Sequence, residues 1–115
     1  MSLRIALTAA CLVLAFASAA QARTPSVTRG KRLAIEACSA CHQVTAHQPR
    51  PTPVGNTDTN EYVAAPDFAE VGRKFRHDEA GLRAFILAPD HPMREQTFVP
   101  RDLDDIVAYV RSLGR

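Results

Sequence analysis

Apolar positions along this chain come in two kinds: one continuous run near the start, and several short stretches spaced at three and four residues. The run is Ile5 to Ala17, preceded by a single cation, Arg4, and followed by Ala20-Gln21-Ala22. A basic start, a short apolar core and a small-x-small end describe a secretory leader, so residues 1–22 are expected to be a signal peptide that is removed. The run is shorter than the roughly 20 apolar residues a membrane-spanning helix needs. Cys11 lies inside it, and a lipoprotein cut before that cysteine would leave an apolar stub. The remainder, residues 23–115, is enough for one small domain.

Helical spacing dominates that remainder. A first helix is predicted from about Ser26 or Thr28 to the Cys38–His42 segment, with Gly30, Ala34 and Cys38 forming a stripe of small residues. Phe68, Val71 and Phe75 repeat at helical intervals, although Gly72 weakens that helix. Leu82, Phe85 and Ile86 mark a short helix over about 78–87, which Pro89 ends. The clearest stripe is Leu103, Ile106, Val107, Val110 and Leu113. Pro100 suits that helix's first turn, Asp102, Asp104 and Asp105 suit the positive end of its dipole, and Gly114 suits its end. Residues 43–63 break the pattern. They hold Pro49, Pro51, Pro53, Gly55, Asn56 and Asp58 with no apolar period, and read as a long, mobile loop without strands.

Charge narrows the function little. The leader takes one of 14 basic residues and none of 12 acidic ones, leaving a nearly neutral chain with interspersed signs. No basic stripe marks a nucleic-acid binder. Arg73, Lys74 and Arg76 read as a solvated helix face. The tryptophan-free core is thin for a small domain, which usually needs a staple.

The cysteines supply a candidate. Cys38-Ser39-Ala40-Cys41-His42 is the C-x-x-C-H attachment string of c-type haem. Two thiols can add across the two vinyl groups on one porphyrin edge, and the adjoining histidine is then carried beneath the ring to the iron. A structural zinc site typically wants four Cys or His ligands, and only His47 lies near this pair. A thioredoxin-type pair belongs beside a βαβ pattern. A disulfide across two residues closes a tiny loop and adds little stability.

Haem iron that carries electrons commonly takes a second axial ligand, with Met/His the cytochrome c pairing. Of the two methionines, Met1 leaves with the leader, so Met93 is the remaining thioether. It lies in Pro89-Asp90-His91-Pro92-Met93, a proline-broken loop that can drape over a haem face. His91 is the rival ligand, and a core-packed Met93 is the plain alternative. His47 and His77 read as surface residues.

Together these features resemble the class I cytochromes c of the short bacterial monohaem kind, from about Thr28 to the end. Gly30 stands eight residues before Cys38, where the family keeps a small residue. Ala65-Pro66-Asp67-Phe68 is similar to the family segment whose proline carbonyl accepts a hydrogen bond from the proximal histidine. His91-Pro92-Met93 is similar to the distal-ligand loop, and Asp105–Leu113 to the last helix, whose aromatic (here Tyr109) packs on the Gly30 position. Ala34 replaces a frequent aromatic, and without tryptophan no indole can bond a propionate. The resemblance implies an all-α fold of about four short helices around one covalently attached haem c. It also implies cofactor contacts at Cys38, Cys41, His42, Pro66 and Met93, with His42 and Met93 on the iron.

The expected function is single-electron transfer between redox partner proteins outside the cytoplasmic membrane, in the periplasm. The chain is expected to act as a monomer with transient docking, no membrane span after cleavage, no nucleic acid and no enzymatic activity of its own. The alternatives are a haem-based sensor or gas-binding module, which needs an open sixth site, and a dedicated haem subunit of a larger periplasmic oxidoreductase.

Overall fold

The computed structural model describes residues 23–115; the expected signal peptide, residues 1–22, lies outside them. Among the described residues there are four helices: α1 (Val27–Cys38), α2 (Phe68–Lys74), α3 (Glu79–Leu87) and α4 (Pro100–Leu113). Each begins where the sequence offers a start. Ser26 Oγ accepts the Arg29 N–H at 3.2 Å, and the Asp67 and Asp78 carboxylates accept the Glu70 and Gly81 N–H groups, each at 2.7 Å. Pro100 takes the first position of α4, and Gly114 follows its end.

The domain is organised by the crossing of α1 over α4. A Cβ added at Gly30 would lie 1.8 Å from the Asp105 carbonyl oxygen, so only glycine admits this approach. Ala34, the next residue on the stripe, is fully buried. The same device recurs where α2 meets α4. A Cβ at Gly72 would lie 2.4 Å from the Val110 carbonyl oxygen, so this mid-helix glycine serves packing. Leu103, Ile106, Val107 and Val110 of α4 form the core with Phe68, Val71, Leu82 and Ile86. That is the face the spacing predicts.

Asp105 departs from its expected role. It is no solvated dipole partner but a completely buried carboxylate. Its oxygens accept the Ser26 N–H and the guanidinium groups of Arg23 and Arg29, all at 2.7 Å. Burial alone would raise its pKa. The hydrogen bonds from Ser26, then Arg29 and Arg23, outweigh that and hold the carboxyl well below its ordinary value. The group thus ties the segment before α1 to the first turns of α4.

The 43–63 segment is not a featureless loop. Val54–Asn56 (β1) and Glu61–Val63 (β2) pair antiparallel, Val54 opposite Val63 and Asn56 opposite Glu61. The Asn56 side chain accepts the Asp58 N–H at 2.9 Å, and Asn60 turns the chain with φ 56°. This Asx turn and left-handed asparagine are the turn chemistry that the Asn-Thr-Asp-Thr-Asn tract encodes. Only three residues per strand and the neighbouring prolines hide the strands from periodicity.

Two substitutions probe this framework. Gly30→Ala should force α1 from α4 and cost about 3 kcal/mol, the upper end for overpacking, as read by urea unfolding. The Asp105 carboxyl has a folded pKa below its unfolded value. Its stabilisation is therefore complete above about pH 4 and is lost as pH falls through the lower folded value. Asp105→Asn should destabilise the domain by about 2 kcal/mol at pH 7, and the difference should shrink on acidification below pH 4.

Candidate haem-binding site

The C-terminal end of α1 delivers the cysteine pair. Beyond Cys38 the chain turns sharply, the Cys41 and His42 N–H groups both donating to the Cys38 carbonyl at 3.2 and 2.9 Å. This turn leaves Cys38 half-buried, Cys41 exposed and His42 buried. Burial, with the neighbouring Cys41 adding to it, pushes the Cys38 thiol up to about 11.

His42 is oriented from two sides. Its Nδ1 lies 2.8 Å from the Pro66 carbonyl oxygen. A carbonyl can only accept, so Nδ1 carries the proton and donates, leaving the Nε2 lone pair free for a metal. The Phe68 ring stands edge-on to the imidazole, with centroids 5.6 Å apart. Pro66 and Phe68 are themselves held, because the Phe68 N–H donates to the Gln43 carbonyl at 3.0 Å. Tyr109 packs beside Phe68 and donates its hydroxyl to the Val44 carbonyl at 2.7 Å. The long helix thereby reaches the residues next to His42.

Sequence reasoning missed Gln48. Its Nε2 donates to the carbonyls of Ser39 and His42 at 3.0 and 2.9 Å, and its Oε1 accepts the Val44 N–H at 3.0 Å. One carboxamide thus fastens three backbone points of the motif turn. A glutamine beside Pro49 in a polar stretch carries no signal of such a role.

Cys38 and His42 open into a cleft that Met93 also lines. Its walls are apolar, built from Leu82, Phe85, Ile86, Phe98 and Ile106 among others, and Gln96 is the polar exception. His91 does not line it. That ring is exposed, with Nδ1 3.3 Å from Asn56 Oδ1 and 3.7 Å from Asp58. His47 and His77 are exposed as well. Of the cations at the end of α2 and just beyond it, Lys74 lies over the rings of Phe75 and Phe85, and Arg76 donates to the Gly114 carbonyl at 2.8 Å. Among the described residues no group of three or more His, Cys, Asp or Glu side chains is disposed to hold a metal ion by itself.

A flat apolar prosthetic group suits these walls. An unprotonated imidazole nitrogen, a thioether and two thiols at attachment spacing form a donor set that fits haem iron. A family model described as cytochrome c matches residues 27–114, nearly the whole of the described chain. The chain belongs to the cytochrome c family. No curated protein and no solved structure matches it. Cytochrome c domains hold haem covalently through a cysteine pair, present here as Cys38 and Cys41, and they typically serve in electron transfer. The four helices agree with the cytochrome c fold, and the hairpin is a small addition to it. No helix among the described residues is long and apolar enough to cross a membrane.

Gln48→Met keeps length and removes every side-chain hydrogen bond of this cytochrome's clamp. The variant should lose about 1–3 kcal/mol of stability. Hydrogen exchange should show the Val44 amide losing protection before the amides of α4.

Proposed function

We propose that this cytochrome carries single electrons between redox partner proteins in the periplasm, as a monomer with one haem c. Cys38 and Cys41 would form the thioether links, and His42 and Met93 would hold the iron. The observation that carries the reading is the buried His42 imidazole, its Nδ1 engaged by the Pro66 carbonyl, in an apolar cleft that Met93 shares. The leader at 1–22 supports export, and the C-x-x-C-H spacing supports covalent attachment.

When bound, the haem supplies an iron that alternates between ferric and ferrous states. The surrounding residues set how readily it does so. Holding the Nδ1 proton against Pro66 makes His42 Nε2 a better donor, which favours the ferric state. The Met93 thioether favours the ferrous state relative to a second imidazole and raises the potential. Apolar walls act in the same direction as Met93, because a low-dielectric surrounding disfavours the extra positive charge. His42, held by Pro66 and Phe68, and Met93 would serve both oxidation states, so little rearrangement of the chain would accompany each electron. Met93 on the iron would compete with a gas or peroxide for that position, and the chain would act as a carrier rather than an enzyme.

Visible absorption of the protein matured with haem-attachment machinery tests this. The reduced form should show sharp thioether-haem bands, and the oxidised form the weak long-wavelength band of methionine on ferric iron. The band should vanish in Met93→Ala and survive in His91→Ala. A haem spectrum lacking the band would replace Met93 with bis-His or open-site ligation.

A further inference from the structure

The β1–β2 hairpin packs against none of the four helices. All of β2 is exposed, and Tyr62 is 82 % exposed. This ring adds nothing to the helical core. The hairpin is not adrift, however. Asn56 and Asp58 meet His91, which places its turn beside the loop that carries Met93.

Charge is distributed unevenly about this junction. Residues 54–63 and 88–98 carry Asp58, Glu61, Asp90 and Glu95 against a single cation, Arg94. All four carboxylates belong to exposed residues. Apart from Asp58 with His91, none forms an ion pair among the described residues. Elsewhere, carboxylates are largely matched, as in Arg32–Glu36, Arg83–Asp104 and Arg29–Asp105, and unpaired cations such as Lys31 and Arg73 remain. A nearly neutral chain thus has one negative end.

We propose that the hairpin and the Met93 loop form a docking surface for a protein partner with a lysine- or arginine-rich face. Opposite charge steers such a partner to this end and orients it there. Tyr62 then offers a ring face to an incoming cation, an attraction worth having only where acidic neighbours bring cations close. Nucleic acids and anionic lipid surfaces carry the wrong sign. Docking here sets the partner beside the Met93 loop. That the partner is a redox protein rests on the electron-carrier reading above; the surface itself does not.

The test is an NMR titration of the haem-loaded, isotope-labelled protein with octalysine at low salt. Amide shifts should concentrate in 54–63 and 88–98 and weaken as salt rises. The double reversal Asp58→Lys/Glu61→Lys should weaken binding at least tenfold. Tyr62→Ser should weaken it about two- to fivefold. These positions are exposed, so both variants should fold as the parent does. Shifts centred on the helices, shifts spread evenly, or binding indifferent to both variants would overturn the surface. The absorption spectrum of the same sample separates the two claims. Localised shifts with a spectrum lacking methionine ligation would keep the surface and sink the methionine-ligated carrier. A methionine-ligated spectrum with dispersed shifts would do the reverse.

Discussion

The crossing of α1 and α4 at Gly30 is the contact on which the other elements depend. It brings backbone against backbone, with the Asp105 carbonyl occupying the space a side chain would need. Once the two helices lie this close, Tyr109 can reach the Val44 carbonyl and Phe68 at once. Phe68 in turn stands against His42. The orientation of a buried imidazole is therefore inherited, contact by contact, from a missing Cβ twelve residues earlier.

Asp105 reinforces the crossing by a different physics. Its burial costs solvation, and three donors from the segment before and within α1 offset that cost. Packing at Gly30 is indifferent to pH, whereas the carboxylate cluster is not. The interface thus combines a steric fit that fixes distance with an ionic cluster that fixes register, since guanidinium and carboxylate groups meet in only one alignment of the helices.

What could be read from the sequence follows from how each feature is encoded. The four helices were legible because caps and apolar periods are local: Ser26, Pro100 and the Leu103–Leu113 stripe announce themselves within a few residues. The attachment motif was legible because its chemistry demands adjacent positions. The hairpin at 54–63 was missed because three-residue strands offer one alternation each, too few to see against three prolines. Gln48 and the burial of Asp105 were missed for another reason. Each acquires its role from partners that the fold assembles, Ser39, His42 and Val44 for one, Arg23, Ser26 and Arg29 for the other. Nothing in a glutamine or a third aspartate near a helix start distinguishes a clamp or a buried pair from a solvated side chain. The Pro66 carbonyl was reachable through resemblance alone, because a backbone acceptor leaves no mark in side-chain spacing.

The α1–α4 crossing also has a temporal side. Its two halves lie at opposite ends of the described residues, and the second half is a helix of 14 residues. A contact with so long a loop between its partners forms late and slowly. Until that contact forms, the cleft beside Cys38 and His42 lacks the wall that Ile106 and Val110 of α4 provide. The separation of the two helices along the chain therefore makes the α4 wall of the cleft a late part of the site to be completed.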